Sequence, residues 1–172
     1  MIDDFAGPYA GKTVAITGAS GYLAAALMDA LGSAPARILR VSRQALAAKP
    51  GTVTIQADVR TADCWKNIVA EADVVFHLAS NTSVYAAAND PAASLGSTVQ
   101  PVAHLTAACR TLCRRPRVVL AGTATQYGIT NTLPVNEDTP THPITDYDLH
   151  KQFAEKQLLL ATRLSLDRKS VV

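Results

Sequence analysis

Five short apolar runs rich in β-branched residues constrain the fold of this chain more than any other feature. They are separated mostly by segments with helical periodicity, and they cover residues 13–17, 36–42, 52–57, 72–79 and 117–122. Runs that are apolar on both faces are typical of parallel strands buried between two layers of helices. The alternation of strand and helix therefore predicts an α/β fold with a parallel sheet and right-handed crossovers.

Helical patterns are clearest at two places between these runs. Leucines recur every four residues over 23–31, and a long helical segment covers 91–114. The link between the second and third runs is short, with no clear helix. A loop with three prolines follows at 123–145, and a last helix is predicted for about 146–160. A loop of that length inside a compact domain usually carries function.

The stretch TVAITGASGYLAAAL (13–27) predicts a strand, a glycine turn and a helix. Gly18 suits a tight turn, Gly21 lets the backbone approach a pyrophosphate, and Ala24 allows close packing of helix on strand. The pyrophosphate would bind amides at the helix N-terminus. We therefore predict a dinucleotide site in a doubly wound, Rossmann-type fold with helices on both faces. The alternative is a similar turn without a ligand.

The residues after the second and third strands bear on the identity of the cofactor. No acidic residue lies between Asp29 and Asp58, so the carboxylate that usually binds the ribose of NAD is missing after the second strand. Ser42-Arg43 stands there, and a guanidinium can pair with a 2′-phosphate. This favours NADP, with NAD possible and an ordinary solvated arginine as the alternative. Asp58 would accept from the adenine amino group or cap a helix.

Tyr147 and Lys151 lie one turn apart on the predicted last helix. An ammonium and an oxidised nicotinamide both favour the phenolate form of a tyrosine, which would then exchange a proton with a substrate hydroxyl or carbonyl. The alternative is an exposed lysine beside a packed tyrosine. Thr123 and Thr125 follow the fifth strand, at the sheet edge where ligands bind in open α/β folds. Thr123 would hold the reacting oxygen against Tyr147.

The cysteines and two of the histidines are predicted to be structural. Cys109 and Cys113 have the spacing of one helical turn, but no cluster of ligands accompanies them, so together with Cys64 we expect buried thiols. His77 lies in an apolar strand and His150 beside the lysine of the last helix. Neither has a carboxylate or a second ligand at a useful spacing.

Composition excludes several classes of partner. The net charge is only +2, from 16 basic and 14 acidic residues without a basic block, so no nucleic-acid surface is expected. The acidic N-terminus is unlike a signal peptide, and no run approaches the ~20 apolar residues of a membrane span. We expect a cytoplasmic protein with a small-molecule substrate.

With these motifs the sequence resembles the extended short-chain dehydrogenases/reductases, the NAD(P)-dependent epimerase/dehydratase family that acts largely on nucleotide sugars. The matching stretches are TGASGYLAAAL, ADV at 57–59, FHLAS at 76–80, TATQYG at 123–128, NEDTP at 136–140, and YDLHK with the following AEK. They occur in order over nearly the whole chain.

The resemblance implies a catalytic triad of Thr123, Tyr147 and Lys151, with Lys151 also binding the nicotinamide ribose. It places the following residues at the cofactor: Gly18, Ser20, Gly21, Tyr22, Leu23, Arg43, Asp58, Val59, Leu78, Ala79 and Ser80. It also implies a nucleotide-sugar or related substrate, and a homodimer for the full-length parent.

The sequence departs from the family pattern in two places. Thr98 stands where the family commonly has an asparagine, which puts any role of that asparagine in doubt. Dehydratases usually carry an Asp-Glu pair after the triad threonine, but Ala124 and Thr125 stand here. The resemblance therefore favours an epimerase or a ketoreductase over a 4,6-dehydratase.

Family members continue well beyond the Tyr-Lys helix, with another strand and a substrate-binding domain. We therefore expect residues 1–166 to form an incomplete Rossmann domain. The last six residues, 167–172, are expected to be non-native, because one frame of a common sequencing-library adapter encodes them. The alternatives are a natural short protein, a catalytically silent dinucleotide-binding module, or an inactive fragment of such an enzyme.

Overall fold

One parallel sheet organises the chain. The structure, a computed structural model, describes residues 5–130 and 133–165, so the predicted non-native tail lies outside the described residues. Within these described residues, five strands lie in the order β3-β2-β1-β4-β5, and every neighbouring pair is parallel. Their bounds are β1 (Thr13–Thr17), β2 (Arg37–Ser42), β3 (Thr52–Gln56), β4 (Val74–His77) and β5 (Arg117–Leu120). This is the Rossmann order, and the fold prediction is confirmed.

Helices connect most of the strands. They are α1 (Tyr22–Leu31), α2 (Ala62–Glu71), α3 (Val84–Asn89), α4 (Pro91–Thr111) and α5 (Asp146–Ser165). The link between β2 and β3 has no helix, as predicted. The short α3 was not predicted, and α5 runs five residues beyond its expected end. Within the described residues, no helix combines the length and apolarity needed to cross a membrane.

Alternate side chains of the strands face two different helical layers. On one face, Ala15 and Val75 pack with buried residues of α2 and α4 around Trp65. On the other face, Val14 and Ile16 pack against the buried side of α1. The prediction of helices on both faces is therefore confirmed, and the central strand β1 is sealed on both sides.

The two edge strands do not have the two-sided burial that their sequences predict. Along β3 and β5 part-buried and exposed residues are interspersed, and Val53 and Val119 are each 39% exposed. Each strand has only one neighbour in the sheet, so its outer side lacks the cover that inner strands receive. An apolar run alone does not reveal whether its strand lies at an edge.

Cys113 contradicts the prediction of buried thiols. Cys64 is buried and Cys109 is part-buried against the core, but Cys113 is exposed. It follows the end of α4 in a left-handed turn with φ of +50°, so it no longer shares a helical face with Cys109. Burial raises the pKa of Cys64 and of Cys109 to about 11, so both thiols stay protonated at neutral pH.

Candidate functional site

The carboxyl ends of the five parallel strands meet at one edge of the sheet. The predicted cofactor segments follow these ends: 18–23 after β1, Arg43 after β2, 58–59 after β3 and 78–80 after β4. The residues after β5 lead to Thr123. Because the strand order reverses direction beside β1, this edge contains the crevice in which open α/β sheets bind ligands.

The glycine turn has the geometry of a pyrophosphate cradle. Gly18 has φ of +69°, and a Cβ on it would lie 2.9 Å from the backbone nitrogen of Ala79. Only glycine fits there without strain. Gly21 is the N-cap of α1 and no side chain caps that helix, so amides of its first turn are left for an anion. The turn therefore fits a dinucleotide.

The buried His77 helps to hold the end of β1, just before the glycine turn, against the residues that follow β4. The amide of Ala79 donates to Thr17 Oγ1 at 3.2 Å, and Thr17 Oγ1 lies 2.7 Å from His77 Nδ1. The Thr17 proton would lack an acceptor if the ring donated, so Thr17 donates to Nδ1. Burial, with the charge of Lys151 adding, lowers the pKa of His77 to about 3. His77 is therefore a neutral connector.

Asp58, which follows β3, already forms hydrogen bonds with Arg60. Its carboxylate accepts from the backbone nitrogen of Arg60 at 2.9 Å and from Arg60 Nη2 at 2.6 Å, and Nε contacts both oxygens. The hydrogen bonds of Arg60 lower the pKa of Asp58, and the charge of exposed Arg43 lowers it further. An adenine amino group would compete with Arg60. Thr61, not Asp58, is the N-cap of α2, so the capping alternative is wrong.

The other predicted cofactor residues differ in exposure. Tyr22 and Leu23, in the first turn of α1, are 87% and 62% exposed, and Ser20 before them is also exposed. Leu78, Ala79 and Ser80 are part-buried after β4, as is Val59 after β3.

Thr98, which stands in place of the family's asparagine, lies beside Ser80, one of the residues predicted to contact the cofactor. Its side chain is 4% exposed, and its Oγ1 lies 3.4 Å from Ser80 Oγ. The Ser80 hydroxyl also bonds to the carbonyl of Asn81 at 3.1 Å. Thr98 therefore keeps a polar contact from α4 to residue 80.

The helix α5 presents the tyrosine and lysine predicted as a proton-transfer pair. Lys151 is 6% exposed, and its Nζ donates to the carbonyl of Ala121, just after β5, at 2.9 Å. Burial lowers its pKa. Tyr147 is 9% exposed, and its hydroxyl makes no hydrogen bond with any part of the chain that the structure describes. The alternative interpretation, an exposed lysine beside a packed tyrosine, is therefore wrong for Lys151, which is buried.

Sequence reasoning did not identify Asp148, which joins the first turn of α5 to the threonine loop. Thr123 Oγ1 lies 2.7 Å from Thr125 Oγ1, and Thr125 Oγ1 donates to Asp148 Oδ1. The second oxygen, Oδ2, accepts from Thr145 Oγ1 at 2.7 Å. The pattern Thr-x-x-Asp at 145–148 resembles the sequence of a capping box and was the available signal, although here the carboxylate accepts from the Thr145 hydroxyl. The link to Thr125 had no local signal.

Gly128 fixes the loop that carries Thr123. Its φ is +63°, and a Cβ on it would collide with the carbonyl oxygen of His142. The amide of His142 in turn donates to the carbonyl of Gln126 at 2.9 Å. The loop is therefore folded back on itself beside α5.

A parallel sheet in this strand order, with a glycine turn after β1 at its carboxyl edge, is the arrangement of Rossmann-type dinucleotide-binding folds. The chain belongs to the NAD dependent epimerase/dehydratase family, whose model matches residues 14–169. Among curated proteins, UDP-glucuronate 4-epimerase 3 of Arabidopsis thaliana is 25% identical over 162 residues, which are 85% of this chain and 38% of that protein.

Two solved structures show the same fold. The UDP-Glc/GlcNAc 4-epimerase from Campylobacter jejuni matches with a TM-score of 0.81 and 20% identity, over 92% of this chain and 51% of that one. MoeE5 in complex with UDP-glucuronic acid and NAD matches with a TM-score of 0.74 and 27% identity, over 87% of this chain and 49% of MoeE5. The chain thus spans between 38% and 51% of the length of the three proteins named here.

Proposed function

We propose that the chain binds a nicotinamide dinucleotide and supplies the proton-transfer residues of an epimerase or ketoreductase that acts on a nucleotide sugar. The observation that carries this proposal is the helix α5. It presents the Tyr147 hydroxyl, which has no hydrogen bond to the described part of the chain, one turn from the buried Lys151 ammonium. The glycine turn with its uncapped helix lies at the same edge of the sheet. The related proteins described above include UDP-sugar epimerases, which supports this substrate class.

In this proposal each residue has a separate task. The amides in the first turn of α1, after Gly21, would bind the pyrophosphate. Lys151, which donates to the Ala121 carbonyl, would bind the nicotinamide ribose. When bound, the cofactor accepts and returns hydride. Tyr147 exchanges a proton with a substrate hydroxyl. Thr123 orients that hydroxyl.

The test compares Tyr147→Phe with the unmodified protein. Binding of NADH and NADPH is followed by fluorescence, and conversion of UDP-glucose and UDP-glucuronic acid by chromatography. We expect Tyr147→Phe to bind cofactor within about two-fold and to lose turnover by at least 10²-fold, the lower range for a general acid–base group. Equal turnover by the variant would refute the role of Tyr147. Cofactor binding without any turnover would favour the catalytically silent module.

We further propose a preference for NADP over NAD. Arg43 is exposed after β2, and Arg60 neutralises the nearby carboxylate of Asp58, so Asp58 opposes a 2′-phosphate less. Arg43→Ala should weaken NADPH about ten-fold and leave NADH nearly unchanged, consistent with the 1.5–3 kcal/mol of a hydrogen bond to a charged group. The matched control is Arg117→Ala, at the opposite end of the sheet. Equal weakening of both cofactors would contradict the preference.

We also propose that the full-length parent is a homodimer. Exposed apolar side chains of α4 and α5, namely Leu95, Phe153, Leu160 and Leu164, support this. Sedimentation tests this by comparing the mass of the unmodified protein with that of Phe153→Glu. A charge placed in a dimer interface should shift the protein from dimer to monomer.

A further inference from the structure

The carboxylate of Asp148 has two connections of different kinds. Through Oδ2 it binds Thr145, whose own Oγ1 accepts from the Asp148 amide at 3.2 Å, which caps α5. Through Oδ1 it reaches out of the helix and accepts from Thr125. The side chain is 1% exposed. A capping role explains the first connection and leaves the second unexplained.

The order of the bonds follows from the chemistry of the groups. A carboxylate only accepts, so Thr125 must spend its single proton on Asp148. Thr125 Oγ1 is then an acceptor toward Thr123, whose hydroxyl donates to it over 2.7 Å, and a substrate oxygen held by Thr123 would compete with Thr125 for that proton. The Thr125 amide also donates to Thr123 Oγ1, at 3.3 Å. Thr123 is therefore held by both the hydroxyl and the amide of Thr125, and that hydroxyl is anchored to α5 through Asp148.

We infer that Asp148 and Thr125 are positioning residues that fix the side chain of Thr123 relative to Tyr147. Asp148 follows Tyr147 directly in the first turn of α5, so the same rigid turn carries the proton-transfer residue and the anchor of the Thr123 hydroxyl. The inference rests on the proposed function, because Thr123 holds the reacting oxygen there. A displacement of even about 1 Å at a reacting group lowers rates strongly.

The first arm of the test measures the χ1 rotamer of Thr123 in the 172-residue chain, from three-bond couplings of its methyl carbon. We expect a single rotamer in the unmodified protein and averaged couplings in Thr125→Val, which leaves the capping box intact. Thr125→Ser should restore the single rotamer. Thr139→Val removes another threonine hydroxyl of the same loop and should leave the couplings of Thr123 unchanged. Unchanged Thr123 couplings in Thr125→Val would overturn the inference, whatever the protein's activity.

The second arm measures turnover of a UDP-sugar with saturating cofactor. We expect Thr125→Val and Asp148→Ala to lower kcat at least ten-fold with KM changed less than two-fold, and Thr125→Ser to recover most of kcat. A fall in melting temperature without a change in kcat would assign Asp148 to capping alone and overturn the inference. If the unmodified chain shows no turnover, the proposed function fails there, and the rotamer arm alone decides on Thr125.

Discussion

The buried neutral His77 predicts a specific weakness of the fold in mild acid. Its folded-state pKa of about 3 lies far below the ordinary value of 6.5 that it regains on unfolding. The unfolded chain therefore binds a proton between these values and the folded chain does not. A depressed pKa contributes stability that is fully present above pH 6.5 and is lost as the pH falls toward the folded pKa.

Linkage gives the size of this effect. Between pH 7.5 and pH 5 the unfolded ring becomes almost fully protonated, which costs about 2 kcal/mol of the free energy of unfolding. The slope between pH 5 and pH 6 is about 1.2 kcal/mol per pH unit for this group alone. Many domains have only about 5–15 kcal/mol to lose.

Urea unfolding at half-unit steps from pH 5 to pH 7.5 tests this prediction with two variants. His77→Asn keeps an acceptor for Thr17 but does not titrate, so its profile should be flatter than that of the unmodified protein by the slope given above. Val75→Ala, on the same strand and 0% exposed, should be less stable at every pH with an unchanged slope. Parallel profiles for His77→Asn and the unmodified protein would refute the reasoning.

Two further substitutions test the carboxyl edge of the sheet. Gly18→Ala should lower the free energy of unfolding by about 1–2 kcal/mol because of its left-handed backbone, and by more because the new Cβ meets Ala79. Gly51→Ala, with φ of +72° and open space around it, should lose only the backbone part. Equal losses in urea unfolding would exclude an effect of the contact with Ala79. Asp58→Asn should remove stability at neutral pH and progressively less as the pH falls below 3.8. The lowered pKa of Asp58 contributes stability above the unfolded value of 3.8, and this stability is lost as the pH falls through the folded value. Melting temperatures at neutral pH and at pH values below 3.8 check this.

Features encoded within a few residues were predictable from the sequence. The glycine turn at 18–21 follows from local backbone requirements, and the structure has the positive φ at Gly18 that a tight turn needs. The five strands were located because inner parallel strands are continuous apolar runs. The ion pair between Asp58 and Arg60, two residues away, was also local. It was not predicted, because the carboxylate was assigned to the adenine amino group or to a helix cap.

Features that depend on tertiary neighbours were not predictable in the same way. The exposure of β3 and β5 depends on their place at the sheet edges, which a run of apolar residues does not encode. The bond from Thr125 to Asp148 joins residues 23 positions apart and requires the loop to fold back on α5. Cys113 is exposed because α4 ends at Thr111, three residues before the end of the predicted helical segment.

The central position of β1 also governs the order in which the domain can assemble. Val14 pairs with Ile38 on one side and with Val74 on the other, so the second pairing joins residues sixty positions apart. At synthesis rates of about 5–20 residues per second, β1 waits about 3–12 seconds for β4 to be made. Sheets built from such distant pairings fold slowly. During that interval one side of β1 is unpaired, although four of its five residues are buried in the folded domain. A chaperone that covers this side would raise the yield of native protein.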